Sequence, residues 1–442
     1  MCQRKSYDVV VAGGGPSGVA AAVAAARNGC RTLVVERGCC FGGTATQALV
    51  PAFGPFTNAE RDLIGGIGRE ILEGLKKDGY QSPFYDRKPD RIEGMDWYQI
   101  DPEVLKRVLD EIVIQSGCDI LFHTDVIEVE KADRTVKAVC LYSKGKKEWI
   151  DTKYLIDCTG NADAAKMAGA AFDYGDEEGR VQAGTLCFRV AGIDVPAFME
   201  YVGRVGEDGN LSKACGRARQ KGDFPAGELK AGGMALQADG VAGLNFGHSY
   251  NLEPLNPWEL SRSEVEARRK LPELMDFLRK YVPGMEHCVL VSSGSGIGIR
   301  ESRRIHGRYT LTGEDYFKRA DFEDSIAYYS YPVDIHPTVA EEGFKMTENY
   351  KKWRYGNGEC YGIPYRCLLP DSVDNLAVAG RTISADRIMM ASVRVMPPCF
   401  ATGQAAGTAC ALALRDGVSL DQVNAVELRD TLKNQGQYIK GQ

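Results

Sequence analysis

Two residues in the second half of the chain have the types and spacing of an acid–base pair. Asp334 and His336 lie two positions apart in the run Tyr331-Pro332-Val333-Asp334-Ile335-His336-Pro337. Pro337 biases the residue before it toward extended backbone, where side chains two apart face the same side. Because a carboxylate beside an imidazole sets the tautomer of a base, we predict that His336, oriented by Asp334, moves a proton. The alternative is that His336 only satisfies a hydrogen bond in a loop.

The other histidines carry less information. His306 follows an arginine-rich motif and is a weaker candidate, and His123 lies in a run typical of a strand. His248 and His287 show no pattern that indicates a role. The sequence therefore directs attention to His336.

Arginine is the second chemically informative residue type. Arg300 and Arg304 are four apart with Glu301 between them, placed for an ion pair, and Arg366 and Arg394 follow. Guanidinium groups match carboxylates and vicinal oxygens in geometry, which suits a wall that binds an anion or a polyol. We predict that Arg300, Arg366 and Arg394 bind or polarise a substrate. The alternative is a salt-bridged structural network.

The segment from Tyr7 to Arg37 has the order strand, glycine turn, helix, strand, acid. In this order Gly13 permits the tight turn, Gly15 lets N–H groups approach a pyrophosphate, and Gly18 allows close packing. A helix N-terminus favours the phosphates, and Glu36 can accept hydrogen bonds from a ribose. The pattern predicts a dinucleotide site rather than a glycine turn without a ligand. Its predicted contacts are Gly13, Gly15, Pro16, Ser17, Gly18, Glu36 and Arg37.

Composition excludes several classes of function. A chain of 442 residues can form two or three lobes, and its net charge of −6 disfavours nucleic-acid and membrane-surface partners. No apolar run is long enough to span a bilayer, and no apolar signal region precedes the first strand, so we expect a cytoplasmic protein. The fourteen cysteines include no Cys-x-x-Cys, which argues against iron–sulfur clusters and zinc; we predict no metal site.

Patterns along the chain indicate how these residues are positioned. An amphipathic segment covers 58–79, a helix capped by Asp101 ends at Gly117, and alternating strands cover 119–150. From Phe172 to Arg366 strand-like runs surround one long helix, Trp258 to Tyr281, without a βαβ pattern. A buried strand returns at 375–381, and Pro397-Pro398 precede a helix over 400–414.

These patterns predict an α/β protein of two lobes. A Rossmann-type domain comprises residues 1–171 and 367–442, and an α+β substrate domain built on an antiparallel sheet, 172–366, is inserted between them.

Several further motifs occur in a fixed order. They are Gly42-Gly43-Thr44-Ala45-Thr46, Cys158-Thr159-Gly160-Asn161-Ala162-Asp163, Gly298-Ile299-Arg300-Glu301-Ser302-Arg303-Arg304-Ile305, Asp334-Ile335-His336, Ile363-Pro364-Tyr365-Arg366, Ala379-Gly380-Arg381-Thr382-Ile383-Ser384-Ala385-Asp386, Arg394-Val395-Met396-Pro397 and Gly403-Gln404-Ala405-Ala406-Gly407. Together they resemble the bacterial FAD-dependent oxidoreductase family, which has a glutathione-reductase-type FAD fold and is related to fumarate-reductase and heterodisulfide-reductase flavoproteins. The resemblance covers nearly the whole chain.

The resemblance implies that the dinucleotide is FAD and adds cofactor contacts. The loop from Gly42 to Thr46 would follow the pyrophosphate, Val126 would contact adenine through its backbone, and a helix starting near Gly403-Gln404 would point its positive end at the flavin. The implied contacts are Gly42, Gly43, Thr44, Ala45, Val126, Thr159, Gly160, Asp163, Gly380, Arg381, Gly403, Gln404 and Ala405.

The chain also departs from its relatives. Residues 45–51 lack the Cys-x4-Cys redox pair of glutathione-reductase-type enzymes, and Cys39-Cys40 precede the turn instead. Adjacent cysteines form only strained disulfides, so a packed or partly exposed turn is the simpler interpretation. No second dinucleotide motif is present, so electrons must come from the substrate or from an unidentified carrier.

The sequence leaves three functions open. The leading one is a dehydrogenase that transfers hydride from a CH–OH or CH–NH group of a small polar molecule to flavin N5. The second is an enoate- or fumarate-type reductase with an arginine as proton donor. The third is a flavin-binding electron-transfer or redox-sensing protein without turnover. A homodimer is plausible for this class.

Overall fold

The computed structural model describes residues 4–79, 97–205, 211–228, 231–343 and 345–441. Within these ranges the fold is α/β, with one mixed, largely parallel sheet and several antiparallel sheets. The elements of the first part are β1 (Lys5–Ala12), α1 (Pro16–Arg27), β2 (Thr32–Val35), β3 (Ala52–Phe53), α2 (Gly66–Asp78), β4 (Tyr98–Gln99), α3 (Pro102–Ser116), β5 (Asp119–Leu121), β6 (Asp125–Ala132), β7 (Thr135–Ser143), β8 (Lys146–Asp157), α4 (Asp163–Met167) and β9 (Phe172–Tyr174).

The middle part follows without a βαβ repeat. Its elements are β10 (Gly184–Thr185), β11 (Phe188–Ala191), α5 (Val195–Val205), α6 (Ser212–Lys221), β12 (Met234–Ala238), β13 (Val241–Leu244), β14 (His248–Ser249), α7 (Pro257–Tyr281), β15 (Val289–Ser293) and β16 (Arg303–Ile305).

The last part returns to the first lobe. Its elements are α8 (Gly313–Lys318), β17 (Ser325–Tyr329), α9 (Lys345–Tyr350), β18 (Tyr361–Pro364), β19 (Leu376–Val378), α10 (Arg387–Val393), α11 (Met396–Asp416) and α12 (Ala425–Asn434).

The main sheet has the strand order β5-β2-β1-β8-β7-β6, with β19 also paired to β8. Strand β1 pairs in parallel with β2 and β8, and its Val9, Val10 and Val11 are fully buried, as expected for a strand covered on both faces. The long strand β8 pairs antiparallel with β7 along its first half and in parallel with β19 at its end. The C-terminal segment is thus hydrogen-bonded into the N-terminal sheet.

A second hydrophobic core lies in the middle part and draws its residues from Val181 to Ile297. It packs α5, α6 and α7 against the antiparallel sheet β12-β13-β11-β15. Residues from Leu311 to Leu369, including β17 and β18, belong instead to the core of the first lobe. The domain boundaries 171/172 and 366/367 stay a prediction.

Local signals match the observed ends of several helices. The Asp101 side chain accepts hydrogen bonds from the backbone N–H groups of Glu103 and Val104, and Gly117 ends α3 in the left-handed conformation. The amphipathic segment predicted over 58–79 is helical only from Gly66. Helix α11 starts at Met396, so the predicted start at Phe400 was wrong. Pro397 and Pro398 lie inside its first turns, where the missing proline N–H has no intrahelical acceptor to lose.

Helices α1 and α11 approach each other so closely that no side chain fits between their backbones. A Cβ atom on Gly403 would lie 2.1 Å from the carbonyl oxygen of Ser17, and one on Gly407 would lie 2.2 Å from that of Ala21. The first helix of the chain is therefore held in place by a helix almost four hundred residues later.

This contact generates a stability prediction. Gly403→Ala should lower the free energy of unfolding by about 1–3 kcal/mol, because the new methyl group overlaps the α1 backbone. The matched control is Gly216→Ala in α6, where an added Cβ meets nothing within 4 Å and stability should stay equal or rise. Thermal melting of both variants tests it, and a wild-type Tm for Gly403→Ala would contradict the contact.

Candidate active site

The glycine turn joins the end of β1 to the start of α1 in a strained, closely packed conformation. Gly13 has φ +98°, and a Cβ there would lie 2.4 Å from the carbonyl oxygen of Cys158 on the neighbouring strand. A Cβ on Gly18 would lie 1.8 Å from the Gly13 carbonyl oxygen. Both positions therefore require glycine, for the turn and the packing that the sequence predicted.

Gly15 differs because the space beside it is open. An added Cβ at Gly15 would meet no atom within 4 Å, and the residue caps α1 without any side-chain hydrogen bond to the helix. The loop at Gly43 passes over it, with the Gly43 Cβ position 3.1 Å from the Gly15 Cα. The helix N-terminus thus presents uncapped N–H groups to a small space, as an anion site requires.

Glu36 lies at the end of β2 and is buried. Its carboxylate accepts hydrogen bonds from the backbone N–H groups of Gly14 at 2.7 Å and of Gly38 at 2.6 Å. In the structure the Glu36 carboxylate therefore fixes the backbone of the glycine turn by hydrogen bonds. Its contact with a ribose stays a prediction, as do those of Arg37, Thr44 and Ala45 and of Val126 on β6.

The segment after β8 is held by a buried carboxylate. Asp157 accepts hydrogen bonds from the Thr159 backbone and hydroxyl at one oxygen, and from the Ala165 N–H at the other. Asp163 pairs with Arg303 at 2.7 Å. Gly160, with φ +76°, leaves room for the guanidinium of the half-buried Arg381, whose Nε is buried without a hydrogen-bond partner among the described residues.

One prediction in this region was wrong. Gly403, Gln404 and Ala405 lie two turns inside α11, so they cannot form its positive N-terminal end. Gly403 packs on α1, and the Gln404 side-chain oxygen accepts from the Ile67 N–H at 3.0 Å. The actual N-terminus, at Met396, lies two residues after Arg394.

Four polar side chains form a continuous row of contacts in the middle part. The Glu228 carboxylate contacts His248 Nδ1 at 3.1 Å, His248 Nε2 contacts His336 Nδ1 at 3.0 Å, and His336 Nε2 contacts Asp334 Oδ2 at 3.3 Å. Asp334 also lies 3.6 Å from a guanidinium nitrogen of Arg394. The predicted pairing of Asp334 with His336 is confirmed in geometry, although both lie in irregular backbone after β17 rather than on a strand.

The number of protons shared by these four side chains determines whether they can take up another one. Three contacts join the four groups, and each hydrogen bond takes one proton, whereas two neutral imidazoles supply two. With two neutral imidazoles, one of the three contacts therefore has no proton of its own. A proton gained by the histidine pair would turn that contact into a charge-assisted hydrogen bond.

Burial lowers the pKa of His336 well below its usual value, and the nearby Arg300 charge lowers the pKa further. The imidazole is therefore neutral at pH 7. Burial also lowers the pKa of Arg300, to about 10, with a further contribution from the Arg394 charge.

The structure separates the predicted arginines. Arg300 donates to the Ala183 carbonyl at 2.6 Å and to the Asn245 side chain at 3.3 Å, while Arg394 donates to the Asp334 carbonyl at 3.0 Å. Arg366 instead forms a bidentate pair with Asp324 and lies over a tyrosine ring, away from these groups.

Of the two arginines beside it in the motif, Glu301 pairs with Arg304, at 2.8 Å. It also pairs with Arg387 at 3.3 Å. That part of the arginine motif is the structural network named as the alternative, because its charges are paired with each other.

Sequence reasoning missed Glu228 and His248. Neither is in a recognisable motif, and they are placed beside His336 only because β14 pairs with β10 and the segment before β12 folds back on it. No local signal in the sequence would have found them.

A glycine turn between β1 and α1, a β-sheet closed by the C-terminal segment and a buried acid–base cluster define a dinucleotide-binding α/β enzyme. The chain belongs to the FAD dependent oxidoreductase family, whose model matches residues 8–432. The resemblance seen in the sequence is thereby confirmed, and the cofactor is FAD.

Solved structures similar over most of the chain share low identity. A geranylgeranyl bacteriochlorophyll reductase-like protein from Thermoplasma acidophilum has 14% identity and a TM-score of 0.47, with 98% of this chain and 85% of that chain covered. The p-nitrophenol 4-monooxygenase PnpA from Pseudomonas putida DLL-E4 has 13% identity and a TM-score of 0.45, with 98% and 87% covered. The flavin-dependent brominase Bmp2 has 13% identity and a TM-score of 0.48, with 97% and 84% covered. A comparison with curated proteins gives no match.

The residues present fit the cofactor. The open space at Gly15 under the loop of Gly43, with uncapped N–H groups of α1 beside it, suits a diphosphate. In the part of the chain that the structure describes, no helix has the length and apolar character needed to cross a membrane.

The open space at Gly15 can be tested by filling it. Gly15→Ala should weaken FAD binding by about tenfold or more, since overlap costs about 1–3 kcal/mol and about 1.4 kcal/mol is a factor of ten. The Tm of the FAD-free protein should stay close to that of the wild type, because no protein atom is displaced. FAD titration followed by flavin fluorescence measures the effect, and unchanged affinity would place the diphosphate elsewhere.

The neutral state of His336 predicts a pH dependence of stability. An unfolded histidine takes up a proton near pH 6.5, whereas the folded one does so only at lower pH, so stability is complete above pH 6.5 and falls below it. Between pH 7.5 and 5.5 the wild type should lose up to about 1.4 kcal/mol per pH unit more than His336→Gln. Thermal melting at several pH values tests this, with the exposed His287 changed to Gln as control; parallel curves for wild type and His336→Gln would contradict it.

Proposed function

We propose that the protein dehydrogenates a CH–OH or CH–NH group of a small polar substrate, with His336 as the general base. The observation that carries the proposal is the buried row of contacts Glu228–His248–His336–Asp334, in which two imidazoles lie between two carboxylates, so that a proton gained by the histidine pair would form a charge-assisted hydrogen bond. An electron carrier or a sensor needs no such buried pair of imidazoles between carboxylates.

FAD, held at the N-terminus of α1, would supply the acceptor for two electrons and the hydrogen of the substrate carbon. His336 Nε2 takes the hydroxyl or amino proton, and the new N–H donates to Asp334 Oδ2. Glu228 fixes the position of His248, because its carboxylate binds both the backbone N–H and Nδ1 of His248. The carbon–oxygen or carbon–nitrogen bond of the substrate becomes double.

A second candidate is supported by Arg300. Burial lowers its pKa to about 10, which makes this guanidinium a better proton donor than an exposed one. It would suit an enoate-type reductase, in which an arginine protonates the carbon next to the one that receives hydrogen. The direction of electron flow separates this function from dehydrogenation.

Anaerobic mixing with a panel of hydroxy and amino compounds tests the proposal. A dehydrogenase substrate bleaches oxidised FAD, whereas an enoate reoxidises dithionite-reduced FAD. With a substrate found, His336→Gln should slow bleaching by about 10²–10⁴-fold while FAD stays bound, because the base is lost.

The matched control is His306→Gln, since His306 pairs with Asp173 at 2.9 Å in a histidine–carboxylate contact at the protein surface. Its bleaching rate should equal that of the wild type. If His336→Gln and Asp334→Asn leave every flavin reaction unchanged, a role without turnover is the better interpretation.

A further inference from the structure

We propose that the substrate carries a carboxylate, which binds between the guanidinium groups of Arg300 and Arg394 and presents the neighbouring carbon to His336. The inference rests on the proposed function, because it names the substrate class of the same site. The class is therefore a 2-hydroxy or 2-amino carboxylate.

Arg300 is the first observation. Its side chain is more than nine-tenths buried, and both of its hydrogen-bond acceptors are neutral oxygens, of Ala183 and Asn245. The Asp334 carboxylate offsets part of the Arg300 charge, but Asp334 also lies 3.6 Å from a guanidinium nitrogen of Arg394. One carboxylate beside two guanidinium groups leaves a buried positive charge, which is costly, and an anionic ligand would reduce that cost.

The second observation is a set of hydrogen-bonding groups left without partners. The two guanidiniums carry about ten N–H donors, and the described residues accept three hydrogen bonds from them. Arg394 Nε, Gln182 Nε2 and Thr185 Oγ1 are buried without a hydrogen-bond partner among the described residues. A site rich in donors suits a ligand rich in acceptors.

These groups belong to one place in the fold. Gln182 accepts the backbone N–H of His336 through its side-chain oxygen, and Ala183, next in the chain, accepts from Arg300. Thr185 lies directly opposite His248 in the antiparallel pair β10–β14, so their side chains share a face. The segment 182–185 thus joins the arginine, the unpartnered donors and the histidine pair.

Charge selects a carboxylate over other acceptors. Arg300, Arg394 and Asp334 together carry a net charge of +1, with Asp334 3.6 Å from Arg394. A polyol would leave this charge unbalanced, and a dianionic phosphate would exceed it. One planar monoanion matches a guanidinium fork and balances a single charge.

A bound carboxylate would also strengthen the base. Burial and the Arg300 charge lower the pKa of His336, whereas Asp334 raises this pKa and His248 lowers it. A substrate carboxylate would offset the Arg300 charge and so raise the pKa of His336. Arg394 and Glu228 are the other charged groups near this site. In the step itself the C2–H bond gives its hydrogen and two electrons to FAD, the proton on the 2-oxygen or 2-nitrogen goes to His336 Nε2, and a 2-oxo or 2-imino acid forms.

The test uses unreactive ligands on the FAD-loaded enzyme. Propionate is titrated against propionamide and inorganic phosphate, with the flavin absorption spectrum and the Tm as readouts. Propionate should perturb the spectrum and raise the Tm at concentrations at least about tenfold below those of the other two. Arg300→Met should weaken propionate binding by roughly 10- to 100-fold, with Arg300→Lys between it and the wild type.

Arg268→Met is the control, because Arg268 lies on the exposed face of α7 and pairs with Glu264. It should bind propionate as the wild type does. If Arg300→Met does not fold, Arg394→Met and Thr185→Val test the same pocket. Equal binding of propionate and propionamide, or a loss of FAD in Arg300→Met with unchanged propionate affinity, would overturn the inference.

The two proposals fail in different ways. If propionate binds through Arg300 but no 2-hydroxy or 2-amino carboxylate bleaches FAD, the pocket stands and dehydrogenation is wrong. If a neutral alcohol bleaches FAD while propionate does not bind, dehydrogenation stands and the carboxylate pocket is wrong.

Discussion

Helices α1 and α11 lie backbone to backbone, and the rest of the first lobe is arranged around that contact. Gly403 and Gly407 allow α11 to touch the carbonyl oxygens of Ser17 and Ala21, and a Cβ on Gly380 would lie 2.8 Å from the Ser17 hydroxyl. Because α1 cannot shift without overlap, its N-terminus stays under the glycine turn. The same contact brings Arg394, just before α11, to the boundary with the middle part, where it meets Asp334.

The charged groups of this boundary fall into two sets with different consequences. Arg304 pairs with Glu301, Arg387 with Glu301 and Asp176, and Arg366 with Asp324, so these groups hold segments together. Arg300 has only neutral acceptors, and it adjoins a histidine pair that ends in carboxylates on both sides. Uncompensated charge and unfilled hydrogen bonding thus concentrate at one place, as is common where a protein binds and transforms a ligand. The proposed function and the proposed carboxylate both start from that concentration.

Predictions from sequence succeeded where the cause was local. Asp101 and Gly117 mark the ends of α3 because capping and left-handed backbone act within a few residues, and Gly13 and Gly18 follow from the geometry of one turn. The start of α11 was misjudged because a proline inside a first turn gives the same signal as a proline before a helix. Arg366 matched its neighbours in residue type alone, and its partner Asp324 lies more than forty residues away.

The sequence by itself determined the strand–turn–helix unit, the family, the cofactor and the pairing of Asp334 with His336, since each depends on motifs whose residues are close together in the chain. Only the tertiary structure decided that Glu228 and His248 extend that pair, that Arg300 donates hydrogen bonds to neutral oxygens and that Glu301 pairs with Arg304 rather than Arg300. Those relations depend on which strands pair and which segments cross in the fold. A charged side chain pairs with whichever opposite charge the fold brings near it, which need not be a neighbour in the sequence.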